Sequence, residues 1–328
     1  MTAIEALETD GHVRLGATSA LDPAPLAAGP DEPSLLAPPG ATGVGTGPAK
    51  RRSRAWLANT PPTVLLASTY LLVLVVAAAV PGLLAPHNPL IISTEPPFIH
   101  PFHSWTYLLG TDQDGRDMLS RIIYGARPSL EMGLGATAMG VAGGTTLGVV
   151  AGLAGGFVES VIMRVIDVVL AIPALLLALV VIALMGTGTT DALCAVGVAS
   201  VPAYARMIRA QTHVVRKTAY VEAATALGAR RVAVIWRHVV PNAIKPVLVL
   251  ATLGVGTAIG YGASLSFLGL GTQPPAAEWG SMLANGIQYI NNDWVMVLIP
   301  GLAVTMTVLT VTVFGRDLRR RSEGRARI

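Results

Sequence analysis

Cysteine is nearly absent from this chain. Cys194 is the single thiol in 328 residues, which excludes an internal disulfide and a thiolate metal cluster, and its apolar surroundings mark it as a packing residue. Charge is scarce too, at 13% of residues, and aromatic side chains make up only 5%. Soluble domains carry about 25% charged residues, so this composition excludes an ordinary soluble fold. Three motifs are also missing. No Gly-x-x-x-x-Gly-Lys-Ser/Thr loop is present to cradle phosphates, so P-loop binding of ATP by this polypeptide is not expected. No His-Glu-x-x-His or Gly-x-Ser-x-Gly occurs either, which argues against a hydrolase within the membrane. No residue is put forward as catalytic. His87, His100 and His103 share one loop without a carboxylate or thiol at ligand spacing, and they read as loop residues rather than metal ligands.

What is abundant is apolar: 52% of residues are hydrophobic and the mean hydropathy is +0.59. The chain reads as an all-α integral membrane protein. Residues 1–60 differ in kind, being rich in Pro, Gly and Ala without periodicity, and are expected to form a disordered cytosolic tail. A hydrocarbon layer about 30 Å thick needs roughly 20 apolar residues as helix. Six transmembrane helices are predicted: Val64–Leu84, within Met132–Phe157, Val168–Thr190, Ala192–Ala205, Pro246–Ala277 with its following loop, and Trp294–Gly315. The fourth is the shortest and contains Pro202, so a helix there must run on through Arg206 or tilt little. The expected organisation is the tail 1–60, a first helix and extracytoplasmic loop over 61–127, a five-helix core over 128–315 with a cytosolic loop at 206–245, and a basic cytosolic tail over 316–328.

Basic residues set the orientation. If the amino terminus is inside, the inner segments hold 20 of the 23 Lys and Arg, and only Arg116, Arg121 and Arg127 lie outside. Both termini are thus predicted to be cytosolic. The high pI, about 9.5, reflects these topology signals beside apolar spans rather than a nucleic-acid surface.

The second span carries Gly140, Gly144, Gly148, Gly152 and Gly156, spaced by four so as to line one face and admit another helix closely. Asp167, near the cytosolic end of the third span, is expected to pair with Arg164 three residues before it. The long fifth span, with Gly254, Gly256, Gly260 and Gly262, is the best candidate to line a path through the membrane.

One long polar segment interrupts the apolar pattern. It contains Tyr220, Glu222-Ala223-Ala224, Gly228, and His238-Val239-Val240-Pro241. It reads as two short helices with Gly228 at the joint, stopped by Pro241. These residues resemble the EAA loop of ATP-binding-cassette importer permeases, and that resemblance implies docking onto a cytosolic ATPase through Glu222, Ala223, Ala224, Gly228, His238 and Pro241.

A second motif precedes the second span: Gly110, Thr111, Asp112, Gly115, Arg116, Asp117, Ser120, Arg121, Gly125, Arg127, Ser129 and Leu130. Read alone, it is a short amphipathic helix on the outer membrane surface, with Asp112–Arg116 and Asp117–Arg121 as i,i+4 pairs that hold its fold. It closely resembles the C-type permease subunit of dipeptide, oligopeptide and nickel importers, over about residues 60–320. The resemblance implies a type I ABC importer permease fold in a bacterial inner membrane. It implies a second permease subunit as heterodimer partner, two cytosolic ABC ATPases that hold ATP and Mg, and an extracytoplasmic substrate-binding protein. This chain would bind membrane lipid but no cofactor of its own. Peptides are the implied cargo, with nickel chelates, glutathione or another small solute as alternatives. A self-contained secondary transporter or channel would need unpaired acids at the midplane or two similar halves. The sequence shows neither.

Overall fold

The computed structural model describes residues 61–92 and 96–322. The tail expected over 1–60 and the last residues of the basic carboxyl-terminal tail lie outside the described residues. Among the described residues no β-strand forms; helices account for nearly all regular structure.

The first span is α1, Pro62–Ala79, which begins with proline at a position whose N–H needs no partner. It ends earlier than the expected Leu84, because Pro81 cannot donate to the helix ladder, and a separate single turn, α2 (Pro81–Leu84), follows. Next comes α3, Met118–Ala154. At 37 residues it fuses the predicted surface helix with the second span, which corrects the expectation of a separate helix lying on the membrane. The physical reason lies in packing. Met118 and Ala126 bury against Leu74 and Ala77 of α1 and against Trp279 and Met282, so the apolar face of this segment meets protein rather than headgroups.

The third span departs most from expectation. It divides into α4, Gly156–Leu170, and α5, Ala174–Met185, which meet at 95°. Pro173 sits at the break; its ring bars a continuous ladder and pushes the residue before it out of the helical region. α6, Thr189–Arg216, is the fourth span and extends well beyond Ala205 through Arg206 and Arg209. After α7, Ala219–Ala226, the chain forms α8, Arg231–Val234, a wide π-helical turn over Ile235–Val239, and α9, Val240–Phe267, as one continuous rod. The second short helix of the polar segment is thus the foot of the fifth span, and Pro241 does not stop it. The wider turn just before Pro241 gives its ring room, and Asn242 Nδ2 donates to the His238 carbonyl at 2.7 Å. A short α10, Trp279–Gln288, and the last span, α11, Val295–Ser322, complete the chain.

The bundle is built on α3 and α6, with α9 packed against both and α11 against α9. Glycines decide how close α3 and α6 come. A Cβ on Gly140 would stand 2.8 Å from Ser200 Cβ, one on Gly148 would stand 2.9 Å from the Arg209 nitrogen, and one on Gly152 would stand 2.7 Å from Thr212 Cβ. Gly144 likewise faces Tyr204 and Ala205. Gly156 does not belong to this seam. Helix α3 ends at Gly155, and both Gly155 and Gly156 have positive φ with open space around them, so the pair makes the reversal into α4.

Candidate functional site

Three groupings carry the residues singled out by sequence: a clasp before α3, the far ends of α3, α4 and α6, and the exposed loop around α7.

In the clasp, residues 110–117 form a tight loop closed by a bridge between Thr111 and Asp117. Gly110 and Gly115 hold the positive φ values, 80° and 75°, that its turns require. Asp112 accepts from the backbone N–H groups of Asp114 and Arg116 at 2.9 and 2.8 Å. Its ionic partner is not mainly Arg116, whose guanidinium lies 3.9 Å away and prefers Asp114 at 3.0 Å. It is Arg121, at 3.4 Å, both side chains being 4% exposed. Burial pushes the Asp112 carboxyl above the usual carboxylate range, against the pull of these donors and of Arg121. Asp117 does not pair with Arg121 as i,i+4 spacing suggested. It caps α3, accepting from the Ser120 N–H at 3.0 Å and the Ser120 hydroxyl at 2.5 Å, with His87 Nδ1 at 3.4 Å. Helix geometry explains the exchange: Asp117 precedes the first turn, where its oxygens meet orphan N–H groups.

The other motif residues are equally occupied within the fold. Thr111 Oγ1 accepts from the Ile99 N–H at 3.0 Å, and Arg127 donates to the Ala78 and Ala79 carbonyls at 2.7 Å each, closing the carboxyl end of α1. Gly125 leaves room for the Trp279 ring, whose Nε1 donates to the Ile122 carbonyl at 3.0 Å. Ser129 donates to Glu278 at 3.3 Å. Glu278 is a node that sequence reading missed. It is buried, caps α10 through the N–H groups of Gly280 and Ser281 at 2.9 Å each, and is pushed above the usual carboxylate range by that burial. The only sequence signal was an acidic residue followed two positions later by Gly-Ser.

At the far ends of the helices from the clasp, Asp167 pairs with Arg206 of α6 and not with Arg164, which is exposed. The bend at Pro173 lays α4 alongside α6, so an interhelical partner replaces the local one. Glu159 of α4 accepts from Arg209 Nε at 2.5 Å and meets His213 Nε2 at 2.8 Å. Arg216 donates to the Gly152 carbonyl at 2.8 Å. Four residues in the last turns of α6 thereby lock it to α3 and α4.

From that anchored end the chain turns at Thr218 into α7. Val221 is buried among Val215, Val234, Val239 and Ala243, with Ala224 beside it, which seats α7 on the foot of the α8–α9 rod. Each buried valine in this cluster contributes about 1.5–3 kcal/mol. Gly228, at φ 80°, makes the joint. Of the Glu-Ala-Ala triplet, Ala224 faces inward while Glu222 and Ala223 stand exposed. Tyr220 meets the His238 ring edge-on at 6.2 Å. Around them Leu227 is 88% exposed and Trp236 68%, flanked by exposed Arg230, Arg231 and Arg237. This is a projecting apolar and basic surface on a firm base, suited to a partner protein.

The fifth span's glycines divide by role. Gly254 admits Tyr204, Gly262 admits Met132 and Gly256 lies against α11, so these three serve packing. Gly260 alone among them opens onto a cavity of about 490 Å³, lined also by Ala263, Ser264, Leu283, Gly301 and Thr305.

Residues 144–327 match the family described as the binding-protein-dependent transport system inner membrane component. The chain is 41% identical over 210 residues to the dipeptide transport system permease protein DppC of Alkalihalophilus pseudofirmus, covering 64% of this chain and 69% of the relative. It is 34% identical over 264 residues to the probable D,D-dipeptide transport system permease protein DdpC of Escherichia coli K12, covering 80% and 88%. It is 40% identical to the glutathione transport system permease protein GsiD of Pectobacterium atrosepticum, covering 66% and 72%. A solved chain of the MetNI methionine ABC transporter, in an inward-facing form, superposes with a TM-score of 0.51 at 20% identity, covering 62% of this chain and 97% of that one. That likeness establishes the fold alone.

Proposed function

The chain belongs to the binding-protein-dependent transport system inner membrane components, and from that premise we propose that it is one of two unlike permease subunits of an ATP-driven importer of short peptides. The relatives named above are described as carriers of dipeptides, D,D-dipeptides and glutathione, and glutathione is itself a small peptide. Short peptides are the chemistry common to all three. A solute-binding protein would deliver the cargo on the side of the clasp, and two ATPases would hold ATP and Mg on the side of α7.

The observation that carries this reading is the seating of α7. Its exposed face presents Glu222, Leu227 and nearby Trp236, while its inner face is packed onto the foot of a helix that runs unbroken to Phe267. Closure of the ATPases would displace α7, and the rigid α8–α9 rod would carry that displacement past the cavity at Gly260. Such coupling requires the ATPases to favour one arrangement over the other by differential contact. The distribution of basic residues, 20 of 23 on the same side as α7, supports cytosolic termini.

Affinity purification of the tagged full chain from its native membrane tests the reading. A second permease and ATPase subunits should co-purify, and vesicles should take up a labelled dipeptide only with ATP and a binding protein. Uptake by the purified chain alone, without ATP, would replace the importer with a self-contained transporter.

A further inference from the structure

Helix α4 is fastened to the bundle in an unusual way. Of its 15 residues only Ile166 is buried. Both of its ends are breaks in the helical ladder. Gly155 and Gly156, at φ 64° and 53°, turn the chain out of α3, and a Cβ at either would meet nothing within 4 Å. At the other end Pro173 interrupts the ladder and α5 leaves at 95°. A helix with open space at one joint, a proline at the other and one buried residue between them is held by polar contacts more than by packing.

Those contacts belong to two acids. Glu159 meets Arg209 and His213, and Asp167 meets Arg206, all three partners lying on α6. The Asp167–Arg206 pair is exposed, and exposed ion pairs hold weakly enough to be broken and remade. Their place in the chain gives the contacts a use. Arg209 and His213 lie in the last two turns of α6, and only Lys217 and Thr218 separate α6 from α7. Arg216 is tied to the Gly152 carbonyl of α3, just before the glycine joint. We propose that α4 is a hinged strap and that Glu159 and Asp167 are its latch on α6. Latched as here, it fixes the end of α6 and so the base on which α7 sits. Displacement of α7 opens it, turning α4 about Gly155–Gly156 and Pro173, the few positions that can absorb the change in backbone angles. The inference rests on the reading that ATPases act on α7. It gives Glu159 and Asp167, which stand outside both sequence motifs, a positioning role in coupling.

Nitroxide labels at Val161→Cys on α4 and Val214→Cys on α6, both exposed positions, in a Cys194→Ala background read the latch directly by electron paramagnetic resonance. In the assembled importer without nucleotide, the wild type should give one narrow distance distribution. Glu159→Gln with Asp167→Asn should lengthen and broaden it, and trapping ATP with vanadate should move the wild type toward the same distribution. Uptake of labelled dipeptide per ATP hydrolysed should fall in the double variant by about fivefold or more, the usual scale of coupling between sites. Arg164→Gln removes a charge from the same helix outside both contacts and should change neither readout. Identical distances in the double variant and the wild type would overturn the latch, and so would an equal change in Arg164→Gln, which would mean a general effect of charge. An unchanged distance in a complex that has trapped vanadate would overturn the latch while leaving the importer reading intact. If no ATPase co-purifies, that reading fails, and the double variant against the wild type in the chain alone still decides whether the acids hold α4. Circular dichroism of the double variant should match the wild type; a loss of helical signal would mean that the acids maintain the helix itself and not its position, which also overturns the proposal.

Discussion

Arg121 on the first turn of α3 reaches back to Asp112 across the mouth of the outer loop, at 3.4 Å, with both side chains almost wholly buried. Neither could be left alone there. An uncompensated buried charge costs about 3–5 kcal/mol, whereas replacing both members of a buried pair is often nearly neutral. Arg121→Met or Asp112→Asn alone should therefore lower thermal stability in detergent by an amount in that range. The double replacement should recover most of the loss. Additive losses in the double-mutant cycle would show that the two side chains act independently.

The clasp has a second anchor at Glu278, which holds two N–H groups of α10 and the Ser129 hydroxyl of α3. Glu278→Ala removes a helix cap and leaves buried donors unmet, at a cost of about 1–3 kcal/mol. A thermal melt of the purified variant should fall accordingly, with the α7 side of the molecule unaffected in limited proteolysis. An unchanged melt would mean that the cap is dispensable.

The contact between α3 and α6 leaves no room for side chains at the seam. Gly148→Leu would drive its Cβ to 2.9 Å from both the Arg209 nitrogen and Ile208 Cβ, and overpacking of this kind costs about 1–3 kcal/mol or more. Gly260→Ala meets open space and should be tolerated in stability. Reduced membrane abundance for the first and normal abundance for the second, by quantitative blotting, is the expected result.

Coupling through α7 predicts loss of transport without loss of protein. Gly228→Pro is incompatible with φ near 80°, and Glu222→Lys reverses the charge of the exposed face. Either should abolish ATP-driven uptake at unchanged membrane abundance. Uptake at the normal rate in both would sink the coupling assignment.

Orientation is checked by thiol labelling in a Cys194→Ala background. Thr106→Cys, on the exposed outer loop, should react in intact cells with a membrane-impermeant reagent, and Arg230→Cys, beside the joint at Gly228, should be protected until the membrane is opened. The reverse pattern would place α7 away from any cytosolic ATPase.

The sequence by itself determined the class of this protein. Runs without charge fix where helices can cross a membrane, because burying a charge in hydrocarbon is costly. Glycines every fourth residue from 140 to 152 declare a close helix contact, because spacing alone places them on one face. The polar segment around Glu222 and the run from Gly110 to Leu130 identified the permease family from residue identity. Tertiary structure decided the rest. Local i,i+3 and i,i+4 spacing proposed Arg164 for Asp167, Arg116 for Asp112 and Arg121 for Asp117; the fold kept Arg116 near Asp112 at 3.9 Å but set the buried Arg121 closer to it, gave Arg206 to Asp167 and gave the α3 cap to Asp117. Ionic attraction has no preference for neighbours in the chain, so the bend at Pro173 and the closure of the outer loop chose the partners. The passage of α9 through Pro241 and the absence of Gly156 from the seam have the same origin: each depends on the course of the surrounding backbone, which spacing along a sequence does not encode.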